Sequence, residues 1–146
     1  MILRRIGGVI AGLITAWLVV SIAEAAAHKI YPPPRGLDMT DFNQVKQFVA
    51  SLPVSALLIV LAGWLVGTFL GTWLAARISQ NRVPAYIVGG LLLAAGIANA
   101  VLIPQPIWFS IISFAVYIGM TLLGARVGAA GSGRIPIAGE TNPLSS

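Results

Sequence analysis

Long runs of apolar residues dominate the chain, and polar residues gather between them. Four stretches, 6–30, 54–76, 85–103 and 107–127, each offer the roughly 20 mainly apolar residues that a helix needs to cross a hydrocarbon core. A membrane β-barrel demands short segments alternating polar and apolar residues. The run Ala56-Leu57-Leu58-Ile59-Val60-Leu61 does not alternate, so the pattern predicts helices. In the connection 31–53, Phe42, Val45, Phe48, Val49 and Leu52 recur at helical spacing, with Asp38 and Asp41 just before them as capping residues. This predicts a short amphipathic helix on the outer membrane surface, covering the helix ends. Arg4 and Arg5 followed by an apolar run imitate a secretory signal, but the run exceeds the usual apolar region of 7–15 residues. The expectation is a retained first span.

The expected architecture is an all-α integral membrane protein with one four-helix domain over 1–127 and a flexible cytoplasmic tail over 128–146. Composition agrees: of 146 residues 58% are hydrophobic and only 9% charged, and the mean hydropathy is +0.91. A soluble domain carries about 25% charged residues. With the N-terminus inside, Arg4, Arg5, Arg77, Arg82, Arg126 and Arg134 lie on one side, against Lys29, Arg35 and Lys46 on the other. The excess of basic residues predicts a multi-pass protein of the bacterial inner membrane with both termini cytoplasmic. Arg4, Arg5, Arg77, Arg82 and Arg126 are expected to meet lipid headgroups. The net charge of +5 is thereby assigned to the bilayer rather than to nucleic acid.

Two motifs recur. Thr72-Trp73-Leu74-Ala75-Ala76-Arg77-Ile78 parallels Thr121-Leu122-Leu123-Gly124-Ala125-Arg126-Val127, and Ile22-Ala23-Glu24-Ala25 parallels Ile97-Ala98-Asn99-Ala100. Each copy of the second motif precedes a proline pair, Pro32 with Pro34 and Pro104 with Pro106. The repeats imply two parallel helical hairpins related by an axis along the membrane normal, a plan often found in transport folds. Small residues four apart mark smooth packing faces: Gly8 and Gly12, then Gly63, Gly67, Gly71 and Ala75. These faces suit contact within the fold or between subunits. Gly124 and Gly128 do the same in the last span.

Chemistry-bearing residues are few. Cysteine is absent and His28 is the single histidine, so neither thiolate nor multi-histidine metal sites are open to one chain. No nucleophile–base pair, metal cluster or carboxylate dyad lies in the spans, so no enzyme and no cofactor is expected. Glu24 is the intramembrane carboxylate, about 27 Å beyond Ile6 and so near the outer edge of the core. His28 follows one turn on, and the repeat aligns Asn99 with Glu24. The three form a candidate intramembrane polar site, either an interhelical hydrogen bond or a proton or cation site. Ser55, Thr15, Thr68 and Ser113 are expected to bond back to their own helices.

With Glu24, His28 and Pro32 to Pro34, the chain resembles small four-helix bacterial membrane proteins whose first helix ends in Glu-x-x-x-His followed by prolines. The resemblance implies the four-helix fold and no activity. Two functions fit. One is an accessory subunit packing against a larger membrane complex, suited by sparse polar groups, glycine faces and a tail. The alternative is a small homo-oligomeric transporter or channel that uses Glu24 as its proton or cation site.

Overall fold

The computed structural model describes residues 1–131 and is all-helical over them, with five helices. In chain order these are α1 (Ile2–Ile30), α2 (Phe42–Ser51), α3 (Val54–Ser79), α4 (Arg82–Leu102) and α5 (Ile107–Ala130). All but α2 are long and apolar enough to cross a membrane. The helices outrun the apolar stretches that announce them: α1 begins four residues before Ile6, and α3 continues to Ser79. Helical hydrogen bonding has no reason to stop where hydrophobicity does. It stops where the backbone is turned. Gln80 takes the left-handed conformation at φ 52°, and the Asn81 side chain then accepts the Val83 N–H at 2.9 Å to start α4. Pro84 sits in the first turn of α4, where no intrahelical partner is owed to its missing N–H. Residues 128–130, expected in the tail, instead continue α5, because Gly128 packs against Trp73 and Ala76. The rest of the expected tail lies outside the described residues, apart from Gly131, which ends α5.

The long helices form a bundle in which α3 touches α1, α4 and α5. Helix α4 also meets α1 and α5, whereas α1 and α5 do not pack together. Hairpins related by a two-fold axis would make α1 meet α5 as α3 meets α4, so the bundle is asymmetric despite its repeated motifs. The reason is at the seams. Each of the repeated threonines is seated on a glycine of a neighbouring helix: Thr72 on Gly124 of α5, and Thr121 on Gly89 of α4. Their partners are not repeat-related.

Two buried clusters divide the bundle along its length. At the end bearing Arg77 and Arg82, small residues close the core: Ala75, Ala76, Ala85, Val88 and Ala125. Toward the end bearing α2, the core is aromatic: Leu57, Trp64, Phe109 and Tyr117. Trp64 lies 5.5 Å from Phe109, tilted, and 5.8 Å from Tyr117, stacked, measured between ring centroids. Both separations fall in the range favoured by aromatic pairs.

Candidate functional site

The small-residue faces of α1 and α3 lie against each other. A Cβ on Gly12 would sit 2.5 Å from the Gly71 carbonyl oxygen, and one on Gly71 would sit 2.6 Å from that of Gly12. Gly8 faces the Ala75 carbonyl, Gly67 faces Ala16 and Val20, and Gly63 faces Ala23. These contacts seat the two helices backbone to backbone and fix their relative height. The Tyr31 and Ser55 hydroxyls share a hydrogen bond of 2.7 Å and tie the other end.

That register gives the depth of Glu24. Ala23 meets Gly63, which lies about 14 Å along α3 from its Val54 end at 1.5 Å per residue. Helix α3 is about 39 Å long by the same rise, so Glu24 stands roughly 6–8 Å from its middle. Along the bundle this is nearer the middle than the sequence spacing implies. The difference arises because Ile6 is not at the core's edge: Gly8 already lies level with Ala75 and Ser79, near the end of α3.

Glu24 is exposed and lies where two open-sided cavities meet. The first, of about 350 Å³, is bounded by α2 through Val45, Phe48 and Val49, and by Leu52 just past its end. Glu24, His28, Asn99 and Gln105 supply its polar lining, and Trp64 and Phe109 its aromatic wall. The second, of about 210 Å³, goes deeper between Trp64, Gly96 and Tyr117. Glu24, Trp64 and Asn99 line both. The structure therefore brings Glu24, His28 and Asn99 around one cavity, with no hydrogen bond or ion pair joining them among the described residues. Gly96 leaves room for the Tyr117 ring: a Cβ there would sit 2.5 Å from a ring carbon.

Helix α2 is held by its own cap. Asp41 accepts from the Asn43 and Gln44 N–H groups at 2.9 and 3.3 Å. Asp38 does not cap the helix. It turns the preceding loop by accepting from the Thr40 amide at 2.8 Å and the Thr40 hydroxyl at 2.6 Å. Those two donors stabilise the charged form, so the Asp38 carboxyl titrates below the usual aspartate range, the side-chain bond contributing more than the backbone bond.

The hydroxyls of the spans divide sharply. Ser113 bonds to Phe109 O at 2.7 Å, Thr121 to Tyr117 O at 2.6 Å, and Thr72 to Thr68 O at 2.7 Å. Ser55 departs from the expected pattern and pairs with Tyr31. Thr68 departs further: its Oγ1 is buried without any partner, and the residue lines the deeper cavity. It stands about 21 Å along α3, close to the helix middle.

Trp64, Thr68, Gln105, Phe109 and Tyr117 are site residues that patterning misses. One signal was available. Trp and Tyr usually gather at the two membrane interfaces, and Trp64 and Tyr117 stand mid-span. Arg5 lines a separate apolar groove of about 290 Å³ with Ile6, Val9, Val83 and Ile87, while Arg77, Arg82 and Arg126 lie at or near helix ends. Comparison with protein-family models, with curated proteins and with solved structures gives no match.

Proposed function

We propose that this chain is a small, non-enzymatic membrane transporter that takes a cation or proton at Glu24. One observation carries the reading: Glu24, an exposed carboxylate with no ion-pair partner among the described residues, stands on a membrane-span helix where the open groove beside α2 meets a second groove that reaches Thr68. Ionisable side chains on such helices are costly and mark ion or substrate pathways by default. A four-helix chain leaves little room for a complete pathway, so the working unit is a homo-oligomer in the inner membrane, with the basic end cytoplasmic. His28, one turn nearer α2, borders the entrance.

An accessory role in a larger complex draws less support than it does from sequence alone. It leaned partly on glycine faces that suited contact within the fold or between subunits, and Gly8, Gly12, Gly63, Gly67 and Gly71 are all occupied within the fold. The test is flux. Protein purified in gentle detergent and placed in liposomes is expected to run as a homo-oligomer and to dissipate a proton or monovalent-cation gradient. Glu24→Gln is expected to abolish that flux while keeping the oligomer. Purification with stoichiometric larger subunits, or equal flux in both variants, refutes the proposal.

A further inference from the structure

We infer that the open groove between the starts of α1 and α4 seats an anionic phospholipid, with its phosphate at Arg5 and the first methylenes of one acyl chain between the two helices. The site lies at the opposite end of the bundle from α2 and does not depend on the role of Glu24.

Charge favours an anion at this end. Helices α1 and α4 run parallel and touch where Gly12 faces Val88, so Arg5 and Arg82, each about two turns earlier, stand at about the same height. Both helices point their N-termini, the positive ends of their dipoles, the same way. Arg4 and Arg5 lie at the start of α1 and Arg82 opens α4, and neither helix has an acidic residue in its first turn. Cations stabilise the C-terminal ends of helices and are opposed at the N-terminal ends. Arg77 is placed as the dipole asks, in the last turn of α3, with its guanidinium against Gly131 at the end of α5. Arg4, Arg5 and Arg82 are not. The carboxylates among the described residues, Glu24, Asp38 and Asp41, lie toward the other end, so none of them neutralises this one.

The groove favours an anion that carries a hydrocarbon chain. Ile6, Val9 and Ile10 of α1 and Val83 and Ile87 of α4 wall a space of about 290 Å³, and Arg5 borders it. The surface it shows is apolar throughout, so Arg5 contributes carbon to the wall and carries its guanidinium beyond it. From Arg5 to Ile10 the groove runs about 8 Å along α1 at the helical rise. It closes below, where the Gly12 face meets Val88. An apolar slot with a cation at its mouth matches a molecule with a phosphate at one end of an acyl chain. A soluble phosphate ester would leave the slot unfilled, and a zwitterionic lipid brings its own cation toward the guanidinium. Basic pockets between membrane helices hold anionic headgroups by this combination.

Arg126 supplies an internal comparison. It is exposed near the same end of the bundle, on α5, and does not border this groove. Diffuse attraction to an anionic bilayer surface acts on Arg5 and Arg126 alike. A lipid seated between α1 and α4 depends on Arg5 and on the apolar walls beneath it.

The experiment is native mass spectrometry of the full, delipidated chain in detergent, titrated with dioleoyl phosphatidylglycerol or with dioleoyl phosphatidylcholine, and with glycerol phosphate as a chainless competitor. Phosphatidylglycerol is expected to bind in a saturable first step at least about tenfold more tightly than phosphatidylcholine, the difference made by one charged hydrogen bond. Glycerol phosphate is expected not to displace it. Arg5→Gln is expected to weaken that step about tenfold. Arg126→Gln is expected to change it less than about twofold, because a more distant exposed charge is screened. Ile87 is 46% exposed, so Ile87→Trp fills the groove without entering the core, and is expected to remove the first step for both lipids. The inference is overturned by equal affinity for the two lipids, by equal losses in Arg5→Gln and Arg126→Gln, by displacement with glycerol phosphate, or by a first step that Ile87→Trp leaves intact. Phosphatidylglycerol that binds only after residues 132–146 are removed would make that segment the occupant, and overturns it as well.

Discussion

The α1–α3 seam and the aromatic half of the bundle solve the same problem in opposite ways. Along the seam, helix backbones touch: glycine carbonyls lie where side chains normally stand, and the neighbouring core is alanine and valine. Little beyond dispersion contact acts there, since lipid is as apolar as the interface. Toward α2 the helices are held apart by Trp64, Phe109 and Tyr117, and the space around these rings contains cavities, a carboxylate and an unpartnered hydroxyl. The difference teaches where a minimal membrane protein places its stability and where it leaves room. Close packing along the seam, from Gly8 on Ala75 to Ala23 on Gly63, fixes the register of α1 on α3. That register in turn sets Glu24 at the junction of the cavities. The loose half depends on the tight half for its geometry.

The largest effect is therefore expected at the seam. In Gly12→Ala, the new methyl meets the Gly71 carbonyl oxygen at 2.5 Å, the Ala75 methyl at 3.0 Å and a Val88 methyl at 3.1 Å. Backbone on one side and packed small residues on the other leave no direction of relief. A loss of about 1–3 kcal/mol is expected, the usual cost of overpacking. Gly7→Ala, on the exposed side of the same helix, meets nothing within 4 Å. It is expected to gain roughly 0.5–1 kcal/mol from helix propensity alone. Reversible unfolding of both variants in mixed detergent checks the pair. Equal signs would break the account of the seam as close backbone contact.

A smaller effect separates two threonines one turn apart on α3. The Thr72 hydroxyl bonds to Thr68 O, lies 3.4 Å from Met120 O of α5, and packs on Gly124. Thr72→Val removes those bonds and sets a methyl against the glycine, with an expected loss of about 1 kcal/mol. Thr68→Val removes a hydroxyl that has no partner, and is expected to leave stability unchanged or raise it by up to about 1 kcal/mol. The same unfolding assay compares them. A destabilised Thr68→Val would mean that the hydroxyl is satisfied in the protein, and would remove the contrast between the two threonines.

The tight half was largely legible in the sequence and the loose half was not. Residues four apart on a helix share a face, so the spacing of Gly8 and Gly12 with Gly63, Gly67 and Gly71 was visible before any coordinates. What spacing could not say was that the two faces meet each other. The span count followed from length and hydropathy alone, whereas helix ends did not, because capping residues such as Asn81 carry a helix past its apolar stretch. The cavity was only half legible. Glu24 stands out because charge in a span is rare, and Asn99 because it occupies a repeated position. Trp64, Phe109 and Tyr117 come from two helices and meet only through packing. Thr68 is indistinguishable in sequence from Thr72, since whether a hydroxyl bonds back to its helix depends on what lies beside it.

The smallest effect lies on the loop that leads into α2. Thr40 holds the Asp38 carboxylate through its hydroxyl and its amide, and Gln44 links this loop to the helix: its side chain accepts the Asp38 N–H at 3.1 Å and donates to Asp41 at 3.0 Å. Because the folded-state pKa of Asp38 lies below the ordinary value of 3.8, its contribution is complete above that value and fades as pH falls through the lowered one. An amide titration of Thr40 by NMR is expected to show a midpoint under 3.8. Thr40→Ala removes the larger cause, the side-chain bond, and keeps the backbone one, so the midpoint should rise only part of the way back. Being fully exposed, the group acts locally. Acidification is expected to loosen the loop and the residues at the start of α2, while amide exchange along α1 and α3 at Gly12 and Gly71 stays unchanged. Loosening that spreads to the seam would show that the two halves are coupled in both directions, contrary to the one-way dependence argued above.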